Sequence, residues 1–146
     1  IELVVFGEKL EDPTPLYEEA GFQFEYHFRP TGEALRKIYS SCGTFLCSSW
    51  YEGLGMPAME AMMCGTALVT TDTGGSRDYA LNEVTALVSP IKNPEALAEN
   101  LIRVLTDESL RLQLAEKGYK KIQQFSWDSN CEQLVKCFKK SLDDRK

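Results

Sequence analysis

Two glutamates flank a glycine-rich turn in this chain. Glu52 comes directly before Gly53, Gly55 follows two positions later, and Glu60 lies eight positions after Glu52. The glycines let backbone amides approach a ligand, and the helix predicted to begin at Pro57 adds unsatisfied donors and a partial positive charge, which suit phosphate oxygens. Carboxylates instead accept hydrogen bonds from hydroxyls, such as the vicinal pairs of a ribose or a hexose. The spacing is typical of a sugar nucleotide site, and it leaves open the alternative that Glu60 only complements a helix dipole while Glu52 is solvated.

A second glycine pair lies in the segment 71–78. Gly74 and Gly75 permit another close approach of the backbone, and Ser76 or Arg77 is within reach of a phosphate or sugar oxygen if this loop binds a ligand. A lone Gly-Gly pair more often makes a simple tight turn. The pattern therefore favours a turn and leaves a ligand contact as the second interpretation.

Short apolar runs alternate with short helical segments in the first half of the chain. This alternation predicts an α/β fold, a Rossmann-like parallel sheet flanked by helices. Strands are expected over residues 2–6, 22–28, 44–47, 67–71 and 86–88. Thr14 and Thr31 are expected to cap two short helices, and a third helix is expected to run from about Pro57 to Cys64. In the second strand, the face predicted to be buried carries Phe22, Phe24, Tyr26 and Phe28.

The last third of the chain predicts three helices. Asn93, Asp107 and Ser126 are suited to cap them, and the second helix is expected to end near Gly118. The first of these helices is expected to turn one face to the core: Leu97, Leu101, Ile102 and Leu105. The last helix carries an apolar stripe that we interpret as packing: Trp127, Cys131, Leu134, Val135, Phe138 and Leu142.

Composition narrows the class of protein. With 146 residues, 43% of them hydrophobic, the chain fits a single domain over residues 1–146. A net charge of −6 argues against a nucleic acid partner, and no apolar run approaches the roughly 20 residues of a membrane span. The five cysteines form no CxxC pair, so we expect reduced packing thiols in a cytoplasmic protein. His27, the only histidine, is expected at the surface. The start at Ile1, inside an apolar run, suggests a fragment of a longer protein.

The segment 35–90 resembles the carboxyl-terminal domain of the group 1, or family 4, glycosyltransferases, which are retaining enzymes of the GT-B fold. The match is carried by LRKIYSSCGTFLCSSWYEGLGMPAMEAMMCGTALVTTDTGGSRDYA, which contains the pattern EGxGxPxxEAMxxG. Two departures are small: Leu54 replaces a usual phenylalanine, and Ala67 replaces a common proline. A basic pair that family members carry upstream is missing here, as is the amino-terminal acceptor domain.

The resemblance assigns roles to individual residues. Glu52 becomes the catalytic residue that contacts the donor sugar, the amides of the following residues contact sugar or diphosphate, and Glu60 holds the ribose hydroxyls. Arg29, in the loop 27–30, is placed beside the nucleotide base. The implied substrate-binding set is Glu52, Gly53, Leu54, Gly55, Met56, Glu60 and Arg29.

The resemblance also implies a reaction. The full enzyme is expected to transfer a hexose from a nucleoside diphosphate sugar to the hydroxyl of a saccharide or lipid-linked saccharide, with retention, in polysaccharide biosynthesis. It is expected to need no metal or cofactor, to contact the membrane face peripherally if its acceptor is lipid-linked, and to be inactive as the monomeric fragment. A sugar-nucleotide epimerase or a phosphorylase of the same half-fold is the alternative, phosphorylase being disfavoured by the missing cofactor-lysine motif. A receiver-like signalling domain is disfavoured because Gly7-Glu8 and Ser48-Ser49 stand where it needs acidic residues.

Overall fold

The computed structural model describes residues 1–8, 12 and 14–144. It divides the chain into two compact units, Ile1–Ser41 and Cys42–Lys146. The strands are β1 (Val4–Gly7), β2 (Glu25–Phe28), β3 (Thr44–Cys47), β4 (Ala67–Thr71) and β5 (Ala86–Ser89). The helices are α1 (Thr14–Ala20), α2 (Gly32–Ser41), α3 (Met56–Met63), α4 (Pro94–Thr106), α5 (Glu108–Ile122) and α6 (Trp127–Asp143), with a 3₁₀ turn at Gly75–Asp78. The α/β class with parallel strands is confirmed, whereas the single-domain expectation for 1–146 stays a prediction.

The first unit pairs β1 with β2 in parallel, Val4 lying opposite Glu25. The second strand begins at Glu25 and is shorter than the predicted 22–28; before it, the Phe22 ring packs edge-on against the Phe24 ring. Phe22 remains 55% exposed, so the prediction that it lies on a buried face is wrong. Phe28, at the end of β2, is exposed as well.

Helices of the first unit begin near the predicted positions. The predicted cap Thr14 is already helical, and its amide and hydroxyl donate to the Asp12 carboxylate at 2.9 and 2.7 Å. A carboxylate two residues upstream therefore satisfies this helix end in place of the Thr14 hydroxyl. In α2, Tyr39 is buried and its ring meets Phe6 edge-on, with 5.6 Å between the centroids.

The second unit is built on the parallel sheet β3-β4-β5. All five residues of the central strand β4 are buried. One apolar cluster joins Leu68 to Met62 of α3 and Ile122 of α5. A second cluster joins Val69 to α4 and α5. Helices on the sheet thus close both clusters, which fixes the strand ends where the predicted site residues lie.

Three predicted caps are confirmed in this unit. The side chains of Asn93, Asp107 and Ser126 accept the amide protons of the residues three positions later, at 3.0, 2.9 and 3.1 Å. Two details of the helices are wrong. Ile102 is 59% exposed while its neighbour Val104 is fully buried, because the core stripe runs through the latter. The helix predicted to end near Gly118 continues to Ile122, so Gly118 lies inside α5. A Cβ at Gly118 would come within 2.9 Å of the Met62 methyl group.

The apolar stripe of α6 does not pack on this chain. Within 127–143, no residue of this helix is buried, and the stripe residue Trp127 is 85% exposed. The expected packing role is therefore wrong for this chain, since α3, α4 and α5 already cover the two apolar clusters. Cys131 and Cys137, both in α6, are exposed thiols and do not pack as expected.

Candidate functional site

The glycine-rich loop joins the carboxyl end of β3 to the amino end of α3. Gly55 is the residue before the helix, with φ 78° and ψ 55°, a left-handed conformation that favours glycine. A Cβ at this position would come within 2.7 Å of the Tyr79 hydroxyl. Both the backbone angle and the space therefore require glycine here. The loop places its amides at the amino end of an eight-residue helix that no side chain caps; the Ala58 and Met59 amides donate to the Gly55 carbonyl oxygen at 3.0 and 3.3 Å.

The two glycine loops lie against each other. Glu52 forms an isolated parallel bridge with Gly74. A Cβ at Gly75 would overlap the Gly53 carbonyl, coming within 2.6 Å of its carbon, and would lie 2.9 Å from the Glu52 carbonyl oxygen. The Gly74-Gly75 pair thus makes a tight turn, as its pattern favours, and the turn also supports the loop that carries Glu52.

Ser76 and Arg77 are engaged within the second loop. The Ser76 side chain is buried, and its hydroxyl accepts the Thr73 amide proton at 3.3 Å. It therefore does not face a ligand. Arg77 donates twice to the Asp72 carboxylate, at 2.8 Å each, and this ion pair holds the pKa of Asp72 below its usual value and raises that of Arg77. The guanidinium stays at the surface, tethered to Asp72.

Tyr79 was not singled out by the sequence, yet it contacts the loop directly. Its side chain is 1% exposed and its hydroxyl donates to the Gly55 carbonyl oxygen at 3.3 Å. Burial, followed by the electrostatic influence of the neighbouring Cys47 and Glu52, raises the pKa of Tyr79 to about 12. The phenol therefore stays protonated and remains a donor to the loop. The closely spaced glycines are the only sequence signal that a bulky group comes near.

The two glutamates predicted to contact the donor lie in the second unit, one on the glycine-rich loop and one on α3. Glu52 is half-buried in the loop, and Glu60 is half-buried on α3. The first turn of α3 carries no acidic residue, so Glu60 lies beyond the turn in which a helix dipole acts strongly. The dipole explanation for Glu60 is therefore disfavoured. Gly53, Leu54 and Met56 are exposed around the same turn.

Arg29 belongs to the first unit, whereas the other predicted site residues belong to the second. It follows β2 with φ 47°, in the left-handed region, and its amide donates to the Gly7 carbonyl oxygen at 2.8 Å. A non-glycine residue in this conformation carries a small backbone cost. Its side chain is exposed.

The remaining predictions concern the histidine, metal binding, a membrane span and the receiver-like alternative. The His27 imidazole lies 2.8 Å from the Glu25 carboxylate and is half-buried, near the surface. Among the described residues, no group of three histidines, cysteines or acidic residues is arranged to hold a metal ion. None of the described helices has the length and apolarity to cross a membrane. The residues after β3 are Ser48 and Ser49, which gives the receiver-like alternative no support.

In sequence, the chain is similar to a glycosyltransferase family and to individual glycosyltransferases. The family model described as glycosyl transferases group 1 matches residues 1–121. An uncharacterised glycosyltransferase of Methanocaldococcus jannaschii is 31% identical over 113 residues, which cover 77% of this chain and 29% of that protein. The D-inositol 3-phosphate glycosyltransferase of Salinispora tropica is 33% identical over 134 residues, which cover 88% of this chain and 28% of that protein.

A solved structure shares the fold over nearly the whole chain. Sucrose-phosphate synthase from Thermosynechococcus elongatus superposes with a TM-score of 0.82 and 25% identity, covering 98% of this chain and 39% of that chain. The chain thus spans less than half the length of each of these proteins. The similarity confirms the predicted fold class, the carboxyl-terminal half of a GT-B enzyme.

Proposed function

Because this chain belongs to the group 1 glycosyl transferases, we propose that it is the donor-binding part of an enzyme that transfers a hexose from a nucleoside diphosphate sugar. The transfer is to an acceptor hydroxyl, with retention at the anomeric carbon. One observation carries the proposal: Glu52 and the glycine amides lie together at the amino end of α3, held there by the Gly74-Gly75 turn.

Each group in this loop suits a different part of the donor. The amides of Gly53, Leu54 and Gly55 and the positive end of the α3 dipole suit the diphosphate. Met56 begins the helix beside them. Negative charge builds up on the diphosphate as it leaves, so donors fixed before the reaction stabilise the transition state more than the ground state.

The carboxylates suit the hydroxyls at the two ends of the donor. Glu60 accepts hydrogen bonds from the ribose hydroxyls, and Glu52 contacts the hydroxyls of the hexose. As the diphosphate departs, the anomeric carbon of the hexose gains positive charge. The Glu52 carboxylate, bound to the hydroxyls of the same hexose, stabilises this charge, and this is its proposed catalytic role. Arg29 contacts the base. The sequence holds no Asp-x-Asp triplet, and the absence of a metal or cofactor requirement stays a prediction.

The acceptor is proposed to bind outside these 146 residues. The relatives named for D-inositol 3-phosphate and for sucrose phosphate suggest a hydroxyl-rich acceptor. A saccharide or lipid-linked saccharide is the proposed class. A lipid-linked acceptor would bring the full enzyme to the cytoplasmic membrane face, and a role in polysaccharide biosynthesis would follow. Without the acceptor part, the chain should bind donor and transfer nothing.

A nucleotide screen tests the donor site. Thermal unfolding is followed with UDP, GDP, ADP, dTDP and their sugar conjugates, for the natural chain, for Glu60→Ala and for the control Glu99→Ala, at an exposed residue of α4. At one hundred times its dissociation constant a bound nucleotide stabilises by about 2.7 kcal/mol. We expect one nucleotide to raise the melting temperature of the natural chain and the control, and not of Glu60→Ala. Equal stabilisation of all three proteins, or of none, would contradict the site.

A further inference from the structure

A cavity of about 300 Å³ opens beside the proposed donor loop, on the second unit. It lies at the carboxyl ends of β3 and β4, where Ser48 and Thr71 line it, and reaches the amino end of α4. Apolar walls come from Trp50, Pro94 and Leu97. None of these residues belongs to the proposed donor site.

Trp50 and Lys92 form the exposed side of this cavity. The indole is 54% exposed, and the Lys92 ammonium lies 4.8 Å from its ring centroid. Lys92 also has φ 58°, a left-handed conformation that costs a non-glycine residue free energy. Strain of this kind concentrates at ligand clamps. The backbone is therefore held in a disfavoured form while the lysine side chain lies over the tryptophan.

Some polar groups of the cavity already make hydrogen bonds within the described part of the protein, and others do not. The Thr71 hydroxyl donates to the Ser49 carbonyl oxygen, and the Asn93 side chain accepts the Ala96 amide proton as the cap of α4. The Lys92 ammonium and the Ser48 hydroxyl are the groups left to reach a ligand. The cavity thus combines a broad apolar wall with a few donors.

We propose that this cavity binds one pyranose ring of a saccharide, with the Trp50 indole against the apolar face of the ring and Lys92 donating to its hydroxyls. A pyranose is amphipathic in just this way, apolar on its C–H face and ringed by hydroxyls. The volume is at the lower end of small-molecule pockets and is too small for a whole nucleoside diphosphate sugar. The chain's net charge of −6 and the single lysine disfavour a polyanion.

The position of the cavity connects it to the proposed reaction. Trp50 is two residues before Glu52 on the same loop, so a saccharide held here lies next to the donor loop. The choice of a saccharide as ligand rests on the proposed function. The existence of the cavity and the presence of Lys92 and Trp50 in its wall do not depend on the proposed function.

Tryptophan fluorescence tests the proposal. The chain has two tryptophans, and the Trp127→Phe variant leaves Trp50 as the only reporter, because Trp127 lies exposed on α6. This variant is titrated with glucose, mannose, N-acetylglucosamine and maltose up to high millimolar concentration. We expect a saturable change with at least one sugar. Replacement by Lys92→Met should weaken that binding by about tenfold, the effect of losing a charged hydrogen bond.

Control variants separate this site from the donor site. Lys117→Met, an exposed lysine on α5, should leave the sugar titration unchanged. Glu60→Ala should remove nucleotide stabilisation and keep the sugar response, whereas Lys92→Met should keep nucleotide stabilisation and weaken sugar binding about tenfold. Ser48→Ala gives a second test of the cavity should Lys92→Met not fold, and should weaken sugar binding severalfold. The proposal is overturned by no saturable response to any sugar, by an unchanged response in the cavity variants, or by a Trp50 signal that only nucleotides produce.

Discussion

Replacing Gly75 by alanine should separate the two loops that form the candidate site. The added Cβ would lie 2.6 Å from the Gly53 carbonyl carbon and 2.9 Å from the Glu52 carbonyl oxygen. Ordinary contacts between carbon atoms lie at about 3.5–4.0 Å, so the loops must part by about 1 Å. The obstacle is backbone on both sides, and no flexible side chain can move away. Gly75 has no left-handed φ, so the effect of Gly75→Ala is steric.

The expected cost is at the upper end for overpacking, about 3 kcal/mol. For a chain of this size, about 4 °C of melting temperature is lost per kcal/mol, which predicts a fall of about 12 °C. Thermal unfolding followed by circular dichroism measures this fall. The same shift of Glu52 should weaken binding of the stabilising nucleotide at a temperature where the variant is still folded.

Gly53→Ala is the matched control on the other side of the same contact. A Cβ at Gly53 meets nothing within 4 Å, so its melting temperature should stay within a few degrees of the natural chain or rise slightly. Donor binding should still fall, because the new methyl group occupies the space in which the amides are proposed to meet the ligand. A Gly75→Ala protein as stable as the Gly53→Ala protein would refute the steric argument.

Further predictions address the support of the site and the core. Tyr79→Phe removes the donor to the loop and should cost about 1 kcal/mol in unfolding free energy while weakening nucleotide binding; an unchanged affinity would contradict its positioning role. Val104→Ala should destabilise by about 2 kcal/mol and Ile102→Ala by less than about 0.5, measured by urea unfolding, because only the former is buried. The Arg77 hydrogen bonds lower the pKa of Asp72, so their contribution is present above the ordinary aspartate pKa and lost as the pH falls through the lowered one. Asp72→Asn should therefore remove that part of the acid dependence, seen as a smaller loss of melting temperature on acidification than in the natural chain.

The sequence predicts those parts of the fold that local chemistry decides. Strands β3 and β4 occur at the predicted residues, and Asn93, Asp107 and Ser126 cap the helices that they were expected to cap. An apolar run that forms a strand and a side-chain oxygen that caps a helix both act over a few residues. Their effects can therefore be predicted without the tertiary structure. β2 is shorter than predicted, because an apolar alternation does not state where backbone pairing with β1 begins.

What the sequence could not predict depends on contacts between distant residues. The stripe of α6 has helical spacing, but spacing does not state whether a partner covers it, and in this chain it is exposed. The contact of Gly75 with Gly53 joins positions 22 apart, and Tyr79 meets Gly55 across 24 positions. Glycine pairs suit either a turn or a close approach, and only the folded loops show that here one pair provides both.

The position of Glu60 within its helix bears on why a carboxylate stands there. Stabilisation by the helix dipole is confined to the first turn, which in α3 runs through Pro57 and Ala58 and holds no acidic residue. Glu60 comes after that turn, between the buried residues Met59 and Ala61, so the helix dipole does not account for its carboxylate. The role proposed for Glu60, accepting hydrogen bonds from the hydroxyls of a ribose, is what the Glu60→Ala variant in the nucleotide screen tests.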